Sequence, residues 1–91
     1  MAFVVAHFDV GDYDTWKPMF DSDPAGRKQS AKGHLLSRSV DHPSEVFVRV
    51  EFASVEDAKA FRERLLKSGA LDNVTVKTEP TVVETADQAT Y

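Results

Sequence analysis

Residues 46–53 constrain the fold more than any other part of the chain, because apolar residues alternate there without interruption. In an extended strand, successive side chains point to opposite faces of the sheet. One face therefore receives four large apolar side chains, which other elements must cover. The other face is mixed, so it is either wet or part of a polar cavity or interface. The apolar set is Val46, Val48, Val50 and Phe52, and the mixed set is Phe47, Arg49, Glu51 and Ala53.

A second extended segment comes before this strand, and the two predict a hairpin over residues 33–53. Residues 34–40 read His-Leu-Leu-Ser-Arg-Ser-Val, and the connection at 41–44 reads Asp-His-Pro-Ser. Asp, Pro and Ser are typical turn residues, so the connection is expected to reverse the chain. We expect this hairpin to lie at the centre of the sheet.

Length and composition limit the chain to one domain and exclude several function classes. With 91 residues and 42% hydrophobic residues, it is too short for two cores. We assign residues 1–85 to this domain and residues 86–91 to a loose or partner-bound tail. The net charge of -4, without a basic stripe, argues against nucleic-acid binding. The absence of cysteine excludes disulfides, thiolate metal sites and a cysteine nucleophile.

The first apolar segment predicts a strand rather than a targeting or membrane segment. No basic leader precedes it, and it is far shorter than the roughly 20 residues that cross a bilayer. The cytoplasm is therefore the expected location, and no membrane contact is expected. The strand covers residues 2–10 and directs alternate side chains into the core. These core-facing side chains are Ala2, Val4, Ala6, Phe8 and Val10.

The segment after the first strand predicts a helix with an aromatic stripe. Asp14 or Thr15 is the expected N-cap, and Pro18 is tolerated in the first turn. A kink or a break is expected around residues 22–24, followed by a short continuation to about Gln29. The stripe that packs on the sheet consists of Tyr13, Trp16 and Phe20, with Met19 beside it.

The last third of the chain predicts a second long helix and a final strand. Ser54 is the expected N-cap of a helix that runs to about Ser68, and Gly69 ends it in a left-handed conformation. Residues 74–79 then alternate as a strand, Pro80 interrupts it, and residues 81–84 resume it. Because proline has no N–H to donate, this strand is expected at an edge of the sheet.

The resulting order is β-α-β-β-α-β, which predicts an α+β, ferredoxin-like sandwich. This fold has a four-stranded antiparallel sheet with two helices on one face. The other face is left open, and a mixed patch of this size is unusual for a monomer. We therefore expect a homodimer formed through the sheet faces, as a dimeric α/β barrel. The open face is expected to carry Phe3, Val5, His7, Phe47, Arg49 and Glu51.

Several segments together resemble a known family. They are the first strand ending in His7, the run DYDTWKPMFD at 12–21, Gly33-His34 and the valine-rich strand. The chain resembles small dimeric α/β-barrel proteins related to antibiotic-biosynthesis monooxygenases and described as cyclase-like. The resemblance covers nearly the whole chain, and its most specific part is Asp12-Tyr13-x-x-Trp16. It implies a small-molecule cavity between sheet and helices.

Members of this superfamily include cofactor-free oxygenases acting on aromatic, polyketide-like molecules, haem-degrading enzymes and isomerases. The haem-degrading branch resembles the chain least, because its asparagine on the first strand and its later tryptophan and histidine have no counterparts. Asn73 lies in the wrong place for that role. No cofactor-binding, phosphate-loop, zinc or serine-hydrolase motif is present, so neither a cofactor nor a metal is expected.

The candidate site residues are a histidine base and a set of aromatic and polar ligand contacts. His34 is the candidate catalytic residue, since imidazole titrates near neutral pH. Trp16 and Tyr13 suit a flat aromatic ligand, although helix packing alone also explains them. Arg49 could bind an anionic oxygen or form charge pairs across a dimer. The predicted substrate-binding residues are Tyr13, Trp16, Phe20, His7 and Arg49.

Two function classes remain open on these observations. One is a cofactor-independent oxygenase- or cyclase-type enzyme that holds an apolar or aromatic small molecule between helices and sheet, using binding geometry for most of its rate. The other is a non-catalytic dimeric module that binds a small ligand or a partner. A cavity lined by convergent polar groups favours the enzyme, and solid packing around Trp16 favours the module.

Overall fold

The computed structural model describes all residues, from Met1 to Tyr91. It confirms the α+β ferredoxin-like fold, and the short continuation predicted after the first helix is a separate helix. The elements are β1 (Ala2–Asp9), α1 (Tyr13–Asp21), α2 (Arg27–Ser30), β2 (Gly33–Arg38), β3 (Glu45–Phe52), α3 (Val55–Lys67) and β4 (Thr75–Glu84).

The four strands form one antiparallel sheet in the order β2-β3-β1-β4. The central pair is β1 with β3, in which Val4 lies opposite Val50, so the predicted hairpin is not at the centre of the sheet: its first strand, β2, is an edge strand. Because this register aligns the apolar positions of both strands, they share one face. The buried side chains of that face include Ala2, Val4, Ala6, Phe8, Val46, Val50 and Phe52.

Helix α1 begins earlier than the sequence predicts, because its N-cap is Asp12 rather than Asp14 or Thr15. The carbonyl of Asp12 accepts a hydrogen bond from the Trp16 N–H at 3.0 Å. The aromatic stripe explains the earlier start: Tyr13 can share a face with Trp16 only if the helix already includes both. Pro18 consequently lies in the second turn instead of the first.

The segment after α1 forms a separate helix rather than a continuation. Asp23 and Gly26 both have positive φ angles, 60° and 70°, so the chain leaves the α1 axis between them. Both Asp23 carboxylate oxygens then accept backbone hydrogen bonds at the start of α2. The donors are the N–H groups of Arg27 at 2.7 Å and Lys28 at 3.0 Å. This local cap starts the new helix.

Helix α3 follows the sequence prediction closely. The Ser54 hydroxyl accepts a hydrogen bond from the Asp57 N–H at 3.1 Å, as an N-cap does. Gly69 has a φ of 78°, which confirms the left-handed stop. The buried face of the helix is Ala58 and Phe61, and the Phe61 ring packs against Phe52 with centroids 5.3 Å apart.

Strand β4 is an edge strand, as Pro80 predicts, but Pro80 does not interrupt it. The strand runs unbroken from Thr75 to Glu84. Its pairing with β1 shifts register twice between Val5 and Phe8, so extra β4 residues bulge beside Pro80. A bulge leaves a residue out of the ladder, and an edge strand needs donors on only one side. Both conditions suit a residue without an N–H.

All three helices lie on one face of the sheet, and the opposite face is uncovered. On this open face, Leu35 is 51% exposed and Phe47 is 44% exposed. Residues 85–91 contain no helix or strand and are exposed. None of the helices has the length and apolar character that a bilayer crossing requires. The tail assignment and the cytoplasmic location stay predictions.

Replacing Ser54 with Ala should lower the free energy of unfolding by about 1 kcal/mol, because the first turn of α3 loses its side-chain acceptor. For a domain of this size that loss corresponds to roughly 4–8 °C in the thermal midpoint. Ser54→Asp is the matched control and should retain most of the stability. Equal midpoints for wild type and Ser54→Ala would show that the cap contributes nothing.

Candidate functional site

A cavity lies between α1 and the covered face of the sheet, where the resemblance implied one. Its volume is about 60 Å³, and most of its wall is apolar. Helix α1 supplies Trp16, Met19 and Phe20, while Ala70 and Leu71 close it from the α3–β4 connection. The sheet contributes Val4, Ala6, Phe8, Val48 and Val50.

The aromatic stripe of α1 forms one side of this cavity. The Trp16 ring is 6.1 Å from Tyr13 and 5.2 Å from Phe20, measured between centroids. Trp16 and Phe20 line the cavity, but Tyr13 does not. Tyr13 packs beside the apolar end of β1, and the Arg38 guanidinium lies 4.5 Å from its ring centroid. The cavity thus has two of the three predicted aromatic contacts.

The charged groups of the cavity wall are Arg27 and Asp23. Arg27 is 6% exposed, and its guanidinium lies 4.0 Å from the Phe20 ring centroid. Its Nη1 donates a long hydrogen bond of 3.4 Å to the Phe20 carbonyl and lies 3.9 Å from an Asp23 carboxylate oxygen. The guanidinium has five donors, so most of them are left for another acceptor.

His34 lies next to the cavity rather than in its wall. Its ring meets the Phe20 ring edge-on, with centroids 5.2 Å apart. His34 is an exposed residue, but the side of its ring that faces Phe20 loses water, which lowers the pKa of His34 below its usual value of 6.5, and the nearby Arg27 charge lowers it further. His34 is therefore mostly neutral at neutral pH and able to accept a proton.

His7 and Arg49 lie on the open face, on the other side of the sheet from the cavity. The His7 ring stacks on Phe47, with centroids 4.0 Å apart, and its Nε2 lies 2.7 Å from a Glu45 carboxylate oxygen. The Arg49 guanidinium lies 5.3 Å from the Phe3 ring centroid. Neither side chain can contact a molecule that is held beside Trp16. Their substrate role stays a prediction separate from the cavity.

Sequence reasoning did not select Arg27, Asp23 or the Ala70–Leu71 wall. Asp23 and Arg27 are four residues apart, a spacing typical of ion pairs on a helix, and that signal was present. Nothing in the sequence shows that Arg27 points inward, because the two left-handed residues before α2 determine its direction. No three His, Asp or Glu side chains come close enough together to hold a metal ion.

The fold resembles that of a solved structure. The neighbour is a crystal structure from Bordetella bronchiseptica named "putative antibiotic biosynthesis monooxygenase". It superposes with a TM-score of 0.62 at 17% identity, covering 96% of this chain and 97% of the other. This similarity establishes the shared ferredoxin-like fold that the sequence resemblance implied. No family model matches the sequence, and no curated protein matches it significantly.

An NMR titration should give His34 a pKa below 6.5. Arg27→Met should raise the His34 pKa, because it removes a nearby positive charge, whereas Lys59→Met on the outer face of α3 should not. Because the pKa of His34 is lowered by folding, His34 binds its proton more tightly in the unfolded state than in the folded state. The contribution of His34 to stability is thus complete above pH 6.5 and is lost as the pH falls through the folded pKa. An unshifted His34 pKa would show that neither the loss of water around its ring nor the Arg27 charge acts on it as described.

Proposed function

We propose that this protein is a homodimer that binds a small aromatic molecule between α1 and the sheet and acts on it as a cofactor-independent oxygenase. The cavity beside Trp16 and Phe20 is the observation that carries this proposal. A small-molecule site is typically apolar and concave with a few convergent polar groups, and this cavity has that character. The name of the structural neighbour agrees with the reaction class.

The cavity wall indicates which chemical features its ligand carries. Trp16 and Phe20 offer ring faces and edges on which a planar ligand can stack. The spare donors of Arg27 can bind an oxygen that carries negative charge, such as a phenolate or enolate. Partial burial strengthens that attraction relative to water. An aromatic ring with an ionisable hydroxyl or carbonyl oxygen therefore fits best.

A cofactor-independent oxidation is chemically possible for such a ligand. An activated ring methylene loses a proton, and the resulting enolate passes electrons to dioxygen. One oxygen atom becomes the new carbonyl and the other leaves as water, so CH₂ and O₂ become C=O and H₂O without an added reductant. Arg27 would stabilise the enolate oxygen, and His34 would accept the proton, by way of a water or a shifted Phe20.

A non-catalytic binding module is the second candidate, and one observation favours it. Asp23 is the carboxylate in the cavity wall, and its two oxygens already accept hydrogen bonds from the backbone of α2. His34 contacts Phe20 and not the cavity itself. The cavity could therefore hold a ligand without a base placed to react with it.

The open sheet face supports the homodimer. Leu35 and Phe47 are exposed there, and Phe3 and Val5 are half-buried beside them. Two such faces packed together would cover these side chains and should bury roughly 1,600 Å² in total, as stable complexes do. The His7–Glu45 pair and Arg49 would then lie within the interface.

Oxygen uptake with 1,8-dihydroxyanthrone, whose three rings would extend from the cavity past Trp16 toward the solvent, tests the enzyme. We expect one O₂ consumed per anthrone converted to the anthraquinone, together with quenching of Trp16 fluorescence, since Trp16 is the single tryptophan. Arg27→Met should lower the rate at least tenfold, while Lys28→Met should leave it unchanged. Unfolding midpoints must show that both variants fold. Quenching without oxygen uptake would favour the binding module. The absence of both quenching and oxygen uptake would contradict both candidates.

Light scattering should show a dimer at micromolar concentration. Arg49→Glu should weaken association at least tenfold, because each face already carries Glu45 and Glu51 and would lose its arginine. Lys59→Glu, which makes the same charge change on the outer side of α3, should leave the dimer intact. A monomeric wild type would contradict the proposed assembly.

A further inference from the structure

A second, larger depression lies directly outside the cavity. This outer groove has a volume of about 300 Å³ and runs between the start of α1 and the α3–β4 connection. Asp12, Thr15 and Asn73 supply its polar side chains. The outer groove is thus several times larger than the cavity and has a different chemical character.

Three residues belong to the walls of both spaces: Trp16, Met19 and Ala70. Trp16 and Met19 are half-buried, so they have room to move toward the solvent. Methionine is unbranched and adaptable, and alanine presents a single methyl group. A change of side-chain rotamer at Trp16 or Met19 would join the two spaces without moving a strand.

The size of the cavity makes such an opening necessary for an aromatic ligand. An enclosed space of about 150 Å³ is the size known to accept benzene. The cavity is about 60 Å³, which leaves too little room for one ring. Part of the ligand must therefore occupy the outer groove, or the shared wall must shift outward to admit the ring.

We propose that the outer groove is a second subsite, which binds a cationic or hydrogen-bond-donating end of the same ligand whose ring lies beside Trp16, in the cavity as widened by an outward shift of the shared wall. This inference rests on the proposed function, because it requires an aromatic ligand beside Trp16. It adds that the ligand has two unlike ends. One end is an oxygen directed at Arg27, and the other is an amine or hydroxyl directed at Asp12.

The charges around the outer groove favour a cationic or hydrogen-bond-donating ligand end there. Asp12 contributes a carboxylate to the wall, and no lysine or arginine lines the groove. Asp72 places a second carboxylate near the groove. It lies close to Gly69, which is part of the groove wall: a Cβ added to Gly69 would be only 3.2 Å from an Asp72 carboxylate oxygen. The Thr15 hydroxyl donates to Asp12, which leaves the other Asp12 oxygen free to accept. These carboxylates oppose the positive N-terminal end of α1, which by itself would favour an anion, so an anionic group is the least favoured of the three charge types here.

Three phenols that differ only in the charge of the side chain provide the probes. They are tyramine, which is cationic, 4-ethylphenol, which is neutral, and 3-(4-hydroxyphenyl)propionate, which is anionic. Binding is followed by Trp16 fluorescence, excited where the phenols do not absorb. We expect tyramine to bind about two- to fivefold more tightly than 4-ethylphenol, the range of an exposed ion pair, and the propionate to bind most weakly. Added salt should reduce the difference.

Asp12→Asn is the decisive variant, because asparagine is an equally good N-cap and only the charge is lost. It should bring the affinities for tyramine and 4-ethylphenol to within a factor of about 1.5. Asp14→Asn, which removes a charge from the first turn of α1 outside the groove, should preserve most of the preference.

The outcomes separate this inference from the proposed function. Should all three phenols bind with equal affinity to wild type and to Asp12→Asn, the second subsite is wrong while the aromatic site stands. Should Asp14→Asn abolish the preference as fully as Asp12→Asn, the selectivity belongs to the general field of the helix end and the subsite is again wrong. If no phenol binds at all, the proposed function fails along with the inference.

Discussion

The covering of only one face of the sheet is the constraint on which the rest of this structure depends. A chain of 91 residues supplies two substantial helices, and both lie against the alternating apolar side chains of β1 and β3. Burial of that face supplies most of the folding free energy that the hydrophobic effect can give here. The same arrangement leaves the opposite face uncovered, and the second subunit of the proposed homodimer would cover it.

The two helices do not cover their face equally well, and the cavity follows from the difference. Helix α3 brings Ala58 and Phe61 close to the sheet, where both are buried. Helix α1 meets the sheet mainly through large rings and is nine residues long. Rings of this size hold a helix away from the sheet, so small gaps remain between them. The cavity beside Trp16 thus lies where packing is weakest.

The sequence predicts the strands and α3 because strong local signals agree with the global pattern. Ser54 and Gly69 mark both ends of α3, and the period-2 pattern of residues 46–53 determines which face is buried. The start of α1 is harder to predict, since Asp12, Asp14 and Thr15 are all good caps and the decision depends on where Tyr13 packs. The unbroken path through Pro80 depends on β-bulges, which leave no sequence signal of their own.

The candidate site is predicted only in part, for a related reason. Trp16 and Phe20 follow from helical periodicity, and both line the cavity. Arg27 could not be predicted, because its direction depends on the positive φ angles of Asp23 and Gly26. His7 and Arg49 follow from strand alternation, which places them correctly on the open face. Alternation does not say whether that face meets a ligand or a subunit.

The buried charge of Arg27 bears directly on the proposed ligand site. Burying a guanidinium costs several kcal/mol of hydration, and an ion pair repays this only when its geometry is good. The contact with Asp23 is long at 3.9 Å, and the hydrogen bond to Phe20 is long at 3.4 Å. A methionine of similar length would fill the same space without that cost. The contact with the Phe20 ring, 4.0 Å from the guanidinium, offsets part of this cost, and the oxygen of the proposed ligand would offset more by accepting hydrogen bonds from the remaining donors.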